Sequence, residues 1–286
     1  MQFRNTVRNA LNQAVELLTA KNMDNPRLDA EVLLAEVLSF DRFSLLCSSS
    51  VFLENNEQKQ YDSFIERRLK YEPIAYIIGK KEFMGLSFGV GPEVLIPRPD
   101  TELIVEKALE FLGEGRGKKV IDVCAGSGCI ALSIAHFCPQ AEVYATDISS
   151  EALKKAQNNA LALGLAEKVS FFNGDLLAPC SELRDIDLIC ANPPYITLTE
   201  YELLMPDVKD FEPRLALVDD GDGVNFHRAL LEQALPLLRP GGKILFEIGY
   251  NQKHLIEKLD HGGFFKPVVI ADYAQNDRCA LFQKVF

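Results

Sequence analysis

From residue 118 onward, short apolar runs alternate with amphipathic segments, and this alternation constrains the fold more than any other feature of the sequence. The apolar runs are KKVIDVCA (118–125), AEVYATDI (141–148), VSFFNGD (169–175), IDLICANPP (186–194) and GKILFEIG (242–249). Strands that alternate with helices form parallel sheets covered by helices on both faces. At the end of the chain, two apolar runs flank the polar turn AQND with no helix between them. We therefore predict a doubly wound α/β domain with an antiparallel last strand.

The first 73 residues have helical periodicity instead. Apolar residues recur at helical spacing over 7–18, Asn25 and Pro26 are a typical N-cap and first helical position, and a third helix is expected to end at Pro73. Residues 74–97 form short runs punctuated by glycine, which predicts a β-hairpin. The expected organisation is a small helical N-terminal domain over 1–73, a β-hairpin linker over 74–97 and the α/β domain over 98–286.

Composition limits the classes of function. The formal net charge is −11, whereas proteins that bind nucleic acid gain most of their affinity from clustered Lys and Arg. No run of 18 apolar residues occurs, and the polar residues at the start of the chain differ from a secretory signal. The seven cysteines form no CxxC pair, and their odd number argues against a disulfide framework. We expect a cytoplasmic protein with no metal site.

A glycine-containing loop separates the first strand of the α/β domain from its first helix. Gly126 and Gly128 allow the backbone to approach a ligand, and the helix that follows presents unpaired N–H groups. Asp147 ends the next strand, 21 residues after Gly126, where a carboxylate can accept hydrogen bonds from both ribose hydroxyls. After the following strand, Asp175 can bond the amino group of adenine while Leu176 covers the ring. This pattern predicts an adenosine cofactor.

Two cofactors fit this pattern. The spacing Gly126-x-Gly128-x-x-Ala131, with Asp147, also matches the relaxed dinucleotide fingerprint of NAD enzymes. Asp122 would repel a pyrophosphate but would suit a sulfonium or an amino group, and the two-strand ending is unusual for a dinucleotide fold. Both features favour S-adenosylmethionine. The structural alternatives are a glycine turn without a ligand, a helix-capping acid at Asp147 and a turn acid at Asp175.

The fourth strand ends in Asn192-Pro193-Pro194-Tyr195. Two prolines remove backbone donors and fix φ, so the nearby carbonyls stay available as acceptors beside the side-chain carbonyl of Asn192. Such fixed acceptors would hold a planar –NH₂ group, and Tyr195 would give a flat substrate a face to lie on. The alternative is a rigid turn with a capping Asn and a packed Tyr.

These residues carry a family resemblance. Asn192-Pro193-Pro194-Tyr195 matches the (N/D)PP(Y/F/W) signature of methyltransferases that act on amino groups of planar systems. Together with EFMGLSFGVGPEVLIPRPDTELIVE, DVKDFEPRLALVDDGDGVNFHR and GGKILFEIGYNQ, it resembles the release-factor glutamine methyltransferases of the HemK/PrmC type along almost the whole chain. The resemblance implies a Rossmann-like fold that binds S-adenosylmethionine, a helical domain that docks the protein substrate, and methylation of the glutamine of the Gly-Gly-Gln motif in class 1 peptide-chain release factors.

The same resemblance implies a role for individual residues. The loop would hold the methionine part of the cofactor, Asp147 the ribose, and Asp175 and Leu176 the adenine. Asn192 and the carbonyl of Pro193 would bind the glutamine amide, with Tyr195 packed on it. The residues assigned to the cofactor are Cys124, Ala125, Gly126, Ser127, Gly128, Asp147, Asp175, Leu176 and Asn192, and those assigned to the substrate are Asn192, Pro193, Pro194 and Tyr195.

Cys124 and Ala125 depart from the family pattern, which commonly has glycine at the start of this loop. We expect Cys124 to contribute backbone only, against the alternative of a catalytic thiol at Cys124 or Cys129. The segment RPDTE (98–102) fits either the cofactor site or a helix start, and the acidic stretch 200–223 fits either a functional or a solvated loop.

Three other functions compete with the preferred one. A DNA amino-methyltransferase shares the proline turn but should carry a basic groove. A nicotinamide-dependent oxidoreductase fits the glycine loop but leaves the proline turn unexplained. A binding module that uses the helical domain would need neither site.

Overall fold

The computed structural model describes residues 5–114, 116–259 and 262–285. The chain forms two compact units, one made of the chain up to Gly79 with Pro206–Phe211, the other of Lys80–Met205 and the chain from Glu212 onward. The helices of the described ranges are, in chain order, α1 (Val7–Ala20), α2 (Pro26–Leu38), α3 (Arg42–Cys47), α4 (Asn55–Arg68), α5 (Ile74–Ile78), α6 (Glu102–Leu112), α7 (Cys129–Phe137), α8 (Ser150–Ala162), α9 (Leu198–Tyr201), α10 (Pro206–Lys209), α11 (Asn225–Ala234) and α12 (Lys253–Ile256). The strands are β1 (Lys80–Phe83), β2 (Leu86–Gly89), β3 (Lys119–Val123), β4 (Glu142–Asp147), β5 (Val169–Asn173), β6 (Ile186–Ala191), β7 (Leu238–Glu247), β8 (Val268–Ala271) and β9 (Asp277–Gln283).

The helical unit confirms the three helices predicted from periodicity, as α1, α2 and α4, and adds α3, α5 and α10, which the sequence did not indicate. Its core joins α1, α2 and α4 through buried aliphatic side chains and through Tyr61, whose hydroxyl donates to the carbonyl of Ala30 at 3.1 Å. Glu31 is buried there and accepts from both Arg27 and Arg42, at 2.6 and 2.9 Å. Burial of that carboxylate is tolerable because two guanidinium groups compensate it.

The β-hairpin prediction was wrong at its start. Ile74–Ile78 is helical, with Pro73 at the N-cap and Gly79 ending the helix at φ 77°. Its β-branched and aromatic composition is typical of a strand, but Ile77 and its neighbours pack into the core of the helical unit, and packing outweighs local propensity. The helical unit therefore extends to Gly79, and the hairpin occupies Lys80–Gly89 only.

The hairpin belongs to the α/β unit. Met84 and Gly85 form its two-residue turn, both with positive φ, as the right-handed twist of paired strands requires. Phe83 and Phe88 are buried in the core of that unit. At the other end of the hairpin, Gly89 exchanges hydrogen bonds with the buried side chain of Asn159 on α8, at 2.8 and 3.1 Å.

Seven strands of the described chain form one sheet in the order β5-β4-β3-β6-β7-β9-β8. The first five in this order pair in parallel, whereas β9 runs antiparallel to both β7 and β8, as the helix-free ending predicts. Two buried clusters line the two faces of the sheet, so the doubly wound prediction is confirmed. The segment QKHLIEKLDHGG (252–263) also predicts a helix; the structure has α12 there, and residues 260 and 261 lie outside the described ranges. No helix of the described ranges is both long enough and apolar enough to cross a membrane.

The strand order places a topological switch point at β3. The chain moves from β3 outward through β4 to β5 and then returns to the other side of β3 as β6. Ligands of open α/β sheets bind outside the carboxyl ends of the strands at such a point. The register aligns Val123 of β3 with Thr146 of β4 and with Ala191 of β6, so the loop after β3 lies between Asp147 and Asn192.

Asn159 fixes the hairpin to the glycine loop, because its side-chain NH₂ also donates to the carbonyl of Ser127 at 2.8 Å. We predict that Asn159→Ala lowers the free energy of unfolding by about 1–3 kcal/mol, since it leaves buried backbone groups without partners. Urea denaturation measures this. Asn158→Ala is the matched control, because Asn158 is exposed on the same helix. Equal stability of the two variants would contradict the prediction.

Candidate active site

One cleft at the switch point collects most of the residues that the sequence predicts. Its lining includes Cys124, Ala125, Gly126, Ser127, Asp147, Asp175, Leu176, Asn192 and Pro194. Gly128, Pro193 and Tyr195 do not line it. Gly128 is the N-cap of α7 at φ 80°, and a β-carbon there would come within 3.0 Å of the β-carbon of Ala156, so this position requires glycine for packing.

The glycine loop is a backbone cradle. Gly126 has φ 55°, and a β-carbon at this residue would have no atom within 4 Å, so the space beside it is open. Its N–H donates to Asp147 Oδ2 at 2.8 Å. Cys124 also has a positive φ, of 60°, at the position where the family pattern commonly has glycine. The loop thus keeps its glycine-like path even with Cys124 in place, which supports the expectation that this residue contributes backbone.

Asp147 is set up to accept hydrogen bonds. Besides Gly126, the N–H of Ser149 donates to its Oδ1 at 2.9 Å. Burial raises the pKa of this carboxyl, and the bonds from Ser149 and Gly126 counteract that rise. Each carboxylate oxygen has a second lone pair, so two hydroxyls on adjacent carbons could still bond to it. These donors and acceptors fit the ribose of an adenosine cofactor.

Asp175 and Leu176 follow β5 and reach the same cleft. Leu176 has φ 45°, and its carbonyl accepts from the hydroxyl of the buried Thr146 at 2.8 Å. The N–H of Leu177 donates to the side-chain oxygen of Gln233 at 3.0 Å. This turn is therefore fixed from two elements, and it holds an acid and an aliphatic side chain where the sequence predicts contact with adenine.

Asp122 does not face the cleft, so its charge does not favour S-adenosylmethionine over NAD as expected. Its side chain is buried below the loop and absent from the lining of the cleft, and Oδ2 accepts from the N–H of Ala131 at 3.0 Å. Burial raises its pKa to about 8. Asp122 therefore caps the start of α7 and does not face the cleft, so its charge does not discriminate between cofactors there.

Cys124 in the loop and Cys129 at the start of α7 both have raised thiol pKa values. Burial raises the pKa of Cys129 to about 12 and raises that of Cys124 as well. Because the thiolate is the reactive form, a catalytic thiol is disfavoured at neutral pH.

Asn192 belongs to a buried hydrogen-bonded chain. Its Nδ2 donates to Thr101 Oγ1 at 3.2 Å, and the Thr101 hydroxyl donates to Glu247 Oε2 at 2.6 Å. The hydroxyl of Tyr195 donates to the other oxygen of Glu247 at 3.1 Å. The turn from Asn192 to Tyr195 is also fixed at its end, because Gln252 Nε2 donates to the carbonyl of Tyr195 at 2.8 Å. The proline turn is rigid, as its sequence predicts.

The role of Glu247 was not predicted from the sequence. The residue ends β7, and its side chain is 1% exposed. The available signal was a charged residue at the end of an otherwise apolar strand, the pattern that identified Asp147. In the segment 98–102, Arg98 and Thr101 line the cleft, and Pro99–Thr101 forms a 3₁₀ turn before α6, so the expected helix start is present.

The acidic stretch after the proline turn also reaches the cleft. Pro213, Leu215 and Ala216 line it, as does Phe226 of α11. Glu212 is buried, accepts from the N–H of Ile96 at 3.0 Å and pairs with Arg98. At least this part of the stretch is ordered at the site rather than solvated.

The switch-point cleft brings the glycine loop and the carboxylate of Asp147 together with a rigid amide-bearing turn, which a nicotinamide enzyme would not need. Fold and site together define an S-adenosylmethionine-dependent methyltransferase. Two family models match the chain, "PrmC N-terminal domain" over residues 9–79 and "Methyltransferase small domain" over 101–205. A solved methyltransferase from Pyrococcus furiosus shares the fold, with a TM-score of 0.53, 21% identity, and coverage of 82% of this chain and all of that one.

Sequence relatives narrow the class. The release factor glutamine methyltransferase of Moorella thermoacetica is 45% identical over 96% of this chain and 98% of its own length. That of Clostridium acetobutylicum is 41% identical over 96% of this chain and 97% of its own. The chain belongs to the release factor glutamine methyltransferase family, and the resemblance seen in its motifs is confirmed.

The positive φ of Cys124 gives a stability prediction. A β-carbon in the left-handed region costs about 1–2 kcal/mol, so Cys124→Gly should be more stable than Cys124→Ala by roughly that amount. Thermal or urea denaturation of both variants measures the difference. Cys138 has φ −126°, so the same pair of substitutions there should favour alanine. Greater stability of alanine at both cysteines would show that residue 124 is unstrained.

Proposed function

We propose that this protein transfers the methyl group of S-adenosylmethionine to the side-chain amide nitrogen of the glutamine in the Gly-Gly-Gln motif of class 1 peptide-chain release factors. The observation that carries the proposal is the position of Asn192, which lines the same cleft as the glycine loop and Asp147 and begins a rigid proline turn. Membership of the family supports the nature of the acceptor.

In this proposal the loop from Cys124 to Gly128 binds the methionine part of the cofactor and Asp147 binds its ribose. Asp175 and Leu176 flank the adenine. Support comes from the open space beside Gly126, from the remaining lone pairs of Asp147, and from the shared cleft. When bound, the cofactor supplies an electrophilic methyl group on a positively charged sulfur.

The acceptor is a weak nucleophile, since the lone pair of an amide nitrogen is delocalised into its carbonyl. Asn192 Oδ1, at the cleft, would accept one N–H bond of the substrate amide, orient its lone pair and stabilise the positive charge that develops on nitrogen. The carbonyl of Pro193, which does not line the cleft in this structure, would be the second acceptor, as the family resemblance implies. Attack on the methyl carbon would place positive charge on the amide nitrogen, which these acceptors would stabilise until the nitrogen loses a proton to solvent. No strong base is required, because that proton becomes acidic as the methyl group transfers.

The helical unit would dock the release factor, consistent with the family model that covers residues 9–79. The net charge of −11 disfavours a nucleic-acid substrate, whose phosphates would be repelled. Methylation of DNA is therefore the result that would contradict this proposal.

Asp147→Asn should weaken binding of S-adenosylmethionine by about 10–100-fold, the loss expected when hydrogen bonds to a charged acceptor are removed. Isothermal titration calorimetry measures the affinity. Asp185→Asn is the matched control, because Asp185 is exposed and precedes β6, at the opposite edge of the sheet. Unchanged affinity in Asp147→Asn would remove this residue from the cofactor site.

The proposed acceptor is tested with S-adenosylmethionine labelled in its methyl group and a purified class 1 release factor. We predict label on the intact factor, none on a factor whose Gly-Gly-Gln glutamine is replaced by alanine, and at least a 100-fold slower rate with Asn192→Ala, by analogy with the loss of one preorganised hydrogen-bonding group.

Thermal denaturation of the same Asn192→Ala preparation separates loss of chemistry from loss of folding. Label that appears on DNA but not on the release factor would overturn the proposal. Stabilisation by NAD but not by S-adenosylmethionine would do so as well.

A further inference from the structure

The pairing of β6 with β7 sets a buried acid beside the proline turn. Ala191 pairs with Phe246, so Asn192 and Glu247 are the next residues on adjacent parallel strands. Glu247 is almost completely buried, and both of its oxygens accept hydroxyl donors, from Thr101 at 2.6 Å and from Tyr195 at 3.1 Å. A buried acid that meets two donors, from different segments and at the catalytic turn, calls for a functional explanation as well as a structural one.

The groups around Glu247 influence whether its carboxyl is ionised. Burial raises the pKa of the Glu247 carboxyl above its usual value, and the hydrogen bonds from Thr101 and Tyr195 and the charge of Arg278 counteract part of that rise. The guanidinium of Arg278 is itself held by Asp100 at 3.1 Å and by Asp272 at 3.5 Å. Arg278 and the two hydroxyl donors all favour the carboxylate over the carboxylic acid.

An ionised carboxylate can only accept hydrogen bonds, and this determines the direction of every bond in the chain. The one hydroxyl proton of Thr101 is donated to Glu247. Thr101 Oγ1 can therefore only accept from Asn192, and the group that donates to it is Nδ2, at 3.2 Å. The amide of Asn192 is thus held in one of its two orientations.

We infer that Glu247 and Thr101 are positioning residues that turn the amide of Asn192 so that Oδ1 is the atom offered to the substrate. This inference rests on the proposed function and deepens it. The substrate amide presents two N–H donors, and the opposite orientation of Asn192 would set its own NH₂ against them. The carboxylate of Glu247, two hydrogen bonds away from Asn192 Nδ2, therefore determines whether the site accepts an –NH₂ group.

Thr101→Val and Thr101→Ser test the chain of hydrogen bonds. Valine keeps the shape of threonine but removes the hydroxyl, whereas serine keeps the hydroxyl. We expect Thr101→Val to lower kcat for release-factor methylation by about tenfold or more, the effect of one lost hydrogen bond to a charged group. Thr101→Ser should stay within about threefold of the parent, and the affinity for S-adenosylmethionine should change little in either.

Glu247→Gln tests the direction of the bonds without changing their number. A glutamine can donate from its NH₂ to Thr101, which frees the threonine hydroxyl to donate to Asn192 Oδ1 and turn the amide over. We expect kcat to fall at least tenfold while the folded protein keeps its thermal stability. A merely structural role for Glu247 would lower stability and leave kcat of the folded fraction unchanged.

The side-chain NH₂ resonances of Asn192 give a readout that needs no activity. They are assigned in protein labelled with ¹⁵N-asparagine by their loss in Asn192→Ala. We expect the same shifts in the parent and in Thr101→Ser, and displaced shifts in Thr101→Val and Glu247→Gln. Unchanged shifts in Thr101→Val, or equal losses of kcat in the serine and valine variants, would overturn the inference.

The two readouts separate this inference from the proposed function. If the parent protein leaves the release factor unlabelled, the proposed substrate fails, while the resonances of the free protein still decide whether the hydrogen-bonded chain orients Asn192. If the parent is active and Thr101→Val is equally active, the positioning role fails and the proposed function stands.

Discussion

The parallel register of β4, β3, β6 and β7 is the constraint on which the site depends. It aligns the strand ends so that Asp147, the glycine loop, Asn192 and Glu247 follow one another along a single edge of the sheet. Each of these groups comes from a different part of the sequence, and none would meet the others without this pairing. The return of the chain past β3 opens the gap in which a ligand can lie.

Acidic groups are buried around this edge, and each is compensated differently. Asp122 caps a helix and has a raised pKa, Asp147 accepts backbone N–H groups, and Glu247 accepts two hydroxyls beside an arginine. An unpaired buried charge would be costly, and these contacts offset that cost. They also leave a site made mainly of acceptors, which suits a cationic sulfonium and an –NH₂ group.

The sheet, its antiparallel ending and most of the cleft could be predicted from the sequence, since strand periodicity, the glycine loop and the proline turn are local signals. Ile74–Ile78 could not, because its strand-like composition is overruled by packing in the helical unit. The role of Glu247 could not either. That role depends on the pairing of β7 with β6 and on a hydrogen bond from the hydroxyl of Thr101, 146 residues away in the chain. The expectation that the charge of Asp122 would select the cofactor was wrong, because its side chain is buried and does not face the cleft.

The central claim concerns which atom receives the methyl group. Fragmentation mass spectrometry of a release factor treated with this protein and S-adenosylmethionine locates the modification directly. The account predicts one added methyl group on the side-chain amide nitrogen of the Gly-Gly-Gln glutamine, and none when Asn192 is replaced by alanine. A methyl group on another residue of the factor, or an unmodified glutamine in the presence of cofactor-bound protein, would contradict it.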